Sequence, residues 1–452
     1  MTKKQKPADL WFSEQLEAIA IAIAMALVLK FFIVEAYQIP SGSMQPTIIG
    51  DSASGIKDRI LADKLVTMIR DPRRWEVMIF RFPLDERRLY VKRIVGLPGE
   101  TMDILGGDVF IDGAIARKPD HVLDSVLKDV FTRGADGIDI GRAFSPEAGV
   151  SIQDTSATFP AEGQGWLSLR HPVRDVYTHG YDPAWGITGP AVAQYSVSDL
   201  EMSLTARLGT TAQSMEIVLG SDEGDFIFQI PAEGSSLPAQ LTFQPEPTRQ
   251  PQVLFSDPGL FIPRDRSVEV VARDVDRRTV LTVNGEEWLR IDNDAAGPRA
   301  LRPHRATVKL GVVGGGQVSD LRLRRDIWYL PRGPGSWAIP EDHYFGLGDN
   351  TQGSLDSRTW ETMTYPTADG PVSGFWFYSK PGNPIRSDSN PKDLPGGRIL
   401  FADVHGNEHI LQRRSYDGDT NWAPFIPGKF ILGKAVAVFW PIFDPFRWKL
   451  IH

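Results

Sequence analysis

The sequence predicts a mainly β protein: one N-terminal membrane-spanning helix followed by antiparallel β structure that includes a β-sandwich. Three observations carry this expectation. An apolar run from Ala18 to Val34, broken only by Lys30, follows a basic start with Lys3, Lys4 and Lys6. Short apolar and polar alternations rich in β-branched residues recur through most of the remaining chain, the period of a half-buried strand. From Ala191 to Ala232 and from Ser267 to Leu323 such strands come at regular short spacing with an Asn284-Gly285 turn, the pattern of a sandwich with its own core.

Composition narrows the partners. At 452 residues the chain is too long for one ordinary core, and two or three domains are expected. A hydrophobic content of 42% and a charged content of 23% are those of globular protein. The net charge of −8, without a long basic run, argues against a nucleic-acid partner. With no cysteine there are no disulfides, thiol nucleophiles or thiolate metal sites. His405 and His409 have a spacing that suits a metal on a helix, but Gly406 and Asn407 between them read as a turn. No metal and no cofactor is expected.

The apolar run is near the lower limit of a span, about 17 residues. A cleavable leader is the rival reading, because a basic start and an apolar core from Ala18 to Leu29 fit one. No small-x-small pattern follows, however, and Phe31, Phe32, Ile33 and Tyr37 lead straight on. The expectation is an uncleaved anchor over residues 16–36 in a lipid bilayer, the inner (cytoplasmic) membrane of the cell. Residues 1–15 would be cytoplasmic by the positive-inside rule, and everything after Glu35 would lie on the outer face. Lys30 would snorkel to the headgroups.

Directly after the run, Tyr37-Gln38-Ile39-Pro40-Ser41-Gly42-Ser43-Met44-Gln45-Pro46-Thr47 puts two serines around a glycine. A polar turn after an anchor helix is the plain reading. The chemical reading makes Ser43 a nucleophile, which requires a base from elsewhere in the fold. No histidine lies in this part of the chain. Lys92, in Leu89-Tyr90-Val91-Lys92-Arg93-Ile94-Val95-Gly96, is the candidate: a β-branched strand carries it into an apolar setting, where desolvation favours a neutral amine.

Around these residues, Arg59 to Val66 reads as strand-like, Val77 to Phe82 as a clear strand, and Asp112-Gly113 as a hairpin turn. Asp136 and Asp139 invite a calcium reading, but such a site takes six or more oxygen ligands, and a solvated acidic loop fits better. Residues 382–397 read as loop, and His409 to Arg413 and Phe430 to Trp440 as the last strands. The apolar run from Ala435 to Phe443 is too short to span and contains Pro441.

Ser41 to Thr47 and Tyr90 to Gly99 resemble the serine and lysine boxes of type I signal peptidases. Gly348-Asp349-Asn350-Thr351-Gln352-Gly353-Ser354-Leu355-Asp356-Ser357-Arg358 resembles the acidic box of that family, and Ile431 to Ala435 the segment that closes its sheet. The segments Ala306 to Val312 and Val318 to Leu323 resemble, more weakly, the end of laminin-G or concanavalin-like jelly rolls. Two departures stand out: Trp75-Glu76 replaces the usual Gly-Asp before the strand at Val77, and Thr351, Gln352 and Gly353 replace Arg-Asp-Asn.

The resemblance implies a membrane-anchored serine endopeptidase that removes signal peptides from secreted precursors after small-x-small motifs. Ser43 would be the nucleophile, Lys92 the general base, and the Ser41 hydroxyl an oxyanion donor beside the N–H of Ser43. Ser354 would orient the Lys92 amine, and Asp356 and Arg358 would form a structural charged pair behind it. The precursor would bind as an added strand along Gln38, Ile39 and Pro40 and along Tyr90 and Val91. Residues 37–123 and 326–452 would form the catalytic domain. Residues 124–325 would be an inserted sandwich whose removal leaves the peptidase active. A reading of another class is a membrane-tethered binding protein, with an inactive peptidase fold as scaffold and a ligand-binding sandwich.

Overall fold

The computed structural model describes residues 8–28, 30, 33–50, 57–131, 139–175, 195–221, 223–246, 250–293, 307–367, 369–376, 390–412, 419–440 and 448–452. Asp136, the first half of the loop expected at 382–397, Arg413 and the run beyond Trp440 lie outside them, and in the second half of that loop Lys392–Leu394 is a strand. The N-terminal helix α1 runs over Ala8–Val28. Among the described residues no helix is long and apolar enough to cross a membrane, and the anchor expected over 16–36 does not reach residue 36 as helix, since Val34–Gln38 is strand. The physical reason for its earlier end is visible at Val34–Gln38, strand β1. Its backbone is engaged with a neighbouring strand, Val34 opposite Asp63 and Tyr37 opposite Ile60, so Val34, Glu35 and Ala36 cannot continue a helix.

The chain forms two compact units, Met1–Gly99 with Ile339–Gly348 and Ser354–His452, and Glu100–Ala338 with Asp349–Gly353. These contact boundaries lie outside the Asp124 and Arg325 boundaries read from sequence.

The first unit is built on an antiparallel sheet. In spatial order it holds β1, β2 (Arg59–Asp63), Ile431–Trp440, β3 (Val77–Phe82), β4 (Asp85–Gly96), His343–Leu347 and Phe425–Pro427. β3 is apolar at nearly every position because both of its faces are covered. Val77 and Ile79 pack with Ile39, Met44, Ile48 and Val438, while Met78, Phe80 and Phe82 pack with Ile94, Tyr344, Trp360 and Ile426. Glu76 ties the entry of β3 to its neighbour, accepting from Arg70 at 2.6 Å and from Lys434 at 3.2 Å. Burial opposes ionisation of Glu76, but these two cations and the Arg73 N–H hold its carboxyl below the usual range.

Two local readings change. Leu65 and Val66, expected in a strand, begin the short helix Leu65–Ile69, because the Asp63 carboxylate accepts from both of their N–H groups and caps it. Trp75 has φ of 73°, a left-handed backbone that a bulky residue rarely adopts. The departure from glycine therefore falls where the backbone suits glycine. Burial of the indole and a 2.6 Å bond from the Trp75 N–H to the Ile94 carbonyl hold it there.

The second unit contains two large antiparallel sheets over one shared core, a sandwich. One sheet orders Ser151–Gln153, Ser156–Phe159, Gly316–Arg325, Leu200–Leu208, Ser267–Val275, Arg278–Val283 and Glu286–Asp292. The other orders Gln252–Asp257, Ala239–Pro245, Gly224–Pro231, Ser214–Gly220, Thr307–Val313, Gln164–Leu169 and Phe144–Glu147. Met202, Leu204 and Ala206 of the first meet Ile217, Phe228 and Leu241 of the second. The hairpin turns Asp112-Gly113 and Asn284-Gly285 both have positive φ at both residues, the tight turn that matches strand twist.

Burial pushes the Asp274 carboxyl of this unit up to about 7, with Glu223 and Asp108 adding to the effect and Thr279 and Arg277 opposing it. The folded state thus keeps a proton that the unfolded chain releases, so this contribution to stability is full at acid pH and is lost as pH rises towards 7. Asp274→Asn should raise the urea midpoint of the protein more at about pH 8 than at about pH 4. Equal shifts at both values would contradict it.

Candidate active site

Ser43 sits in the 3-10 turn Gly42–Met44. The loop around it is anchored by one buried acid: Asp58 Oδ2 accepts from the Ile49 N–H at 2.7 Å, and the Asp58 carbonyl accepts from the Ile39 N–H at 2.9 Å. Met44 and Ile48 plug the turn into the core. Gly50 lies against the backbone of the strand that leads in. A Cβ there would meet the Ile39 carbonyl at 2.5 Å and the Ser41 nitrogen at 2.6 Å. Ser41 itself is exposed and caps nothing with its side chain.

Lys92, 3% exposed, lies on β4 opposite Met78, and its Nζ donates to Ser43 Oγ at 2.7 Å. The Tyr90 ring lies 5.6 Å from the ammonium position. Space for the lysine stem is left by Gly346, where a Cβ would come within 3.1 Å of Lys92 Cβ. The sequence reading thus brings together a hydroxyl and an amine 49 positions apart.

The acidic stretch closes the site from behind. Asp356 and Arg358 are both fully buried, and the guanidinium donates twice to the carboxylate, at 2.9 and 2.6 Å. Burial opposes the charge on Asp356, yet Arg358 first, then Lys92 and the Gly348 N–H, hold its carboxyl below the usual range. Asp356 Oδ2 accepts from the Gly348 N–H at 3.0 Å and Ser357 Oγ from the Gly346 N–H at 3.0 Å. These bonds fix the strand His343–Leu347 beside β4.

Ser354 departs from its expected role. It is 2% exposed and near Ser43, but its Oγ makes no hydrogen bond, so it does not orient the Lys92 amine through one. Gly348 shows how tightly the parts meet: a Cβ on it would stand 2.2 Å from Ser354 Oγ and 2.5 Å from the Ser43 carbonyl oxygen. Gly348, Gly346, Gly50 and Asp58 were not singled out from sequence. For the glycines the only signal is a residue without a side chain beside a strand end; for Asp58, an acid next to apolar Ile60.

The expected substrate residues divide. Gln38 and Pro40 are exposed, whereas Ile39 is a core residue whose N–H is already taken. Tyr90 stacks on Phe82 at 4.4 Å, and Val91 packs partly into the core. Among the described residues β1 pairs only with β2, and at Leu89 to Lys92 β4 pairs only with β3. β1 and this stretch of β4 thus each have, among the described residues, a partner strand on one side.

His405 and His409 do not form a metal pair on a helix. They flank a turn closed by Asp403, to which His409 Nε2 lies at 3.1 Å, and His409 stands on the strand Glu408–Gln412. In the second unit Asp108, Asp199 and Asp276 bring carboxylate oxygens within 4.8 Å of one another. The Lys118 ammonium, 2.7 Å from both Asp276 and Asp326, already supplies a cation there.

Residues 12–129 and 277–376 match the family described as signal peptidase, peptidase S26. The chain is 43% identical over 103 residues to signal peptidase I of Pseudomonas fluorescens, covering 21% of this chain and 36% of that protein. To probable signal peptidase I-2 of Synechocystis it is 32% identical over 117 residues, 25% of this chain and 50% of that protein. The chain thus spans between about a third and a half of the length of these relatives. Among solved structures, a carbohydrate-binding module of Bacillus subtilis aligns over 40% of this chain and 94% of its own. Its TM-score is 0.27 at 5% identity, a likeness too slight to bear on function.

Gly348→Ala should therefore disturb Ser43 and Ser354 together. A core without room for an added methyl gives way by about 1–3 kcal/mol. A lower denaturation midpoint is expected, and a variant with the parent's midpoint would show that the loop has slack.

Proposed function

On the match of residues 12–129 and 277–376 to the signal peptidase, peptidase S26 family, we propose that the chain is a serine endopeptidase working through Ser43 and Lys92. The observation that carries the reading is the 2.7 Å approach of Lys92 Nζ to Ser43 Oγ in a setting with the lysine nearly fully buried. As the free amine, Lys92 takes the hydroxyl proton while Ser43 Oγ adds to the scissile carbonyl, and the resulting ammonium returns the proton to the departing amine. Water, deprotonated by the same amine, then releases the acyl group from Ser43. The developing oxyanion needs donors placed in advance, for which the Ser43 N–H and the Ser41 hydroxyl are proposed.

The substrate is proposed to be a secreted precursor, cut after a small-x-small motif. An extended peptide adding to the other edge of β1 or of β4 would gain main-chain hydrogen bonds without a deep pocket, and small side chains suit that shallow fit. Work at a membrane surface follows from α1. Leu16, Ile19, Ile21, Ile23, Met25 and Leu27 are each about half exposed, an apolar surface on every side that water does not favour and lipid accepts.

Ser43→Ala and Lys92→Ala should each lower precursor cleavage at least about a thousandfold without unfolding the protein, and the double variant should be no worse, because the two groups act as one. Ser41→Ala should lower kcat by about a hundredfold. Because the base is a free amine, cleavage should climb with pH along an alkaline limb that Lys92→Ala abolishes. A precursor cut at the parent rate by the Ser43→Ala form would overturn the reading.

A further inference from the structure

Between Gly348 and Ser354, which belong to the first unit, the five residues Asp349–Gly353 belong to the second. They are also the part of the acidic stretch where Thr351, Gln352 and Gly353 depart from the resemblance. Inside the second unit the loop is held almost residue by residue. Lys128 Nζ donates to the Asp349 carbonyl at 2.8 Å, and Thr351 Oγ1 donates to the Trp328 carbonyl at 2.8 Å. Gln352 Nε2 donates to Asp175 Oδ2 at 2.8 Å and to the Asp175 carbonyl at 3.3 Å. Asp349, Asn350 and Thr351 are buried.

The groups that hold the loop are themselves fixed. Asp175 Oδ1 accepts from the Tyr195 N–H at 3.1 Å, and the Asp175 carbonyl accepts from Arg325 at 3.1 Å. Lys128 pairs with Arg325 in the strand ladder, and burial beside that guanidinium pushes its amine down to about 7. Asp175 lies in a stretch without counterpart in the family resemblance, so this support belongs to the present chain.

A loop of five residues has little slack, since each adds at most about 3.5 Å of reach. Wherever the second unit holds Asp349 and Gln352, Gly348 and Ser354 must follow within that reach. Gly348 in turn abuts the Ser43 carbonyl and Ser354 Oγ with no room for a methyl. We propose that the Gln352–Asp175 hydrogen bond, with Lys128 and Thr351 beside it, is a latch through which the sandwich sets the positions of Gly348 and Ser354. Gln352 and Asp175 are then positioning residues for the chemistry of Ser43, and the sandwich is part of the enzyme. This replaces the sequence expectation that the insert can be removed without loss, and it rests on the Ser43–Lys92 reading.

The full chain tests it through kcat and KM for one precursor, together with hydrogen exchange of the amides in residues 348–354. Gln352→Ala and Asp175→Ala should each lower kcat about tenfold with KM unchanged and should speed exchange in that segment. The double variant should be no worse than either single one. Asp175→Asn combined with Gln352→Glu should restore kcat, because an amide at 175 can donate to a carboxylate at 352 while its oxygen still accepts from the Tyr195 N–H. Should a single variant fail to fold, the exchanged pair decides: folded and active supports the latch, folded and inactive overturns it. Parental kcat and exchange in Gln352→Ala also overturn it. If the parent chain cleaves no precursor, the peptidase reading fails, and exchange in residues 348–354 still decides for or against the latch.

Discussion

The fully buried Asp356–Arg358 pair is the interaction on which the geometry around Ser43 and Lys92 depends. Two charges taken out of water are tolerated only when their hydrogen bonds are satisfied, and removing either partner would strand the other at a cost of about 3–5 kcal/mol. Here the carboxylate is met by both arms of the guanidinium and by the Gly348 N–H. The pair can exist only if the chain, after leaving for the sandwich, returns to one register beside β4. That register puts Gly346 against Lys92 and Gly348 against Ser43. Charge burial thus does for this site what a disulfide does in a cysteine-containing protein: it makes one return path far better than its neighbours.

Glycine is the second half of the same constraint. Gly50, Gly346 and Gly348 each stand where a methyl would strike backbone or a site side chain. Trp75 shows the opposite solution, a large side chain on a left-handed backbone, kept there by burial and by the bond to Ile94. Such strain, of order 1–3 kcal/mol, persists only where surrounding packing outweighs it.

Much of this was legible in the sequence, for reasons that are local. β3 announced itself by apolar residues at successive positions, and Asp112-Gly113 and Asn284-Gly285 by residues that accept positive φ. Ser43 and Lys92 were found because an amine in an apolar strand and a serine with no histidine nearby each ask for the other. What escaped depends on tertiary partners. Leu65 and Val66 look like strand until Asp63 caps them. The expected span to residue 36 overlooked the pairing of Val34 and Tyr37 with β2. Ser354 stands where the resemblance requires but makes no bond to Lys92. Nothing in Thr351 and Gln352 announces Trp328 or Asp175 as their partners, since the pairing exists only once the sandwich has folded.

The edges of β1 and β4 proposed to take the precursor carry one more consequence. Unpaired N–H and C=O groups bind any extended segment, including the same strand of another copy, and so invite aggregation at high concentration. Charge guards both edges here. Arg87 and Arg88 stand just ahead of Leu89 to Lys92 on β4, and Glu35 lies on β1. Both sets of charges are held in ion pairs, Arg87 and Arg88 with Asp85 and Glu35 with Lys64, and covering them with another whole strand costs desolvation, whereas a short peptide beside Leu89 to Lys92 need not cover them.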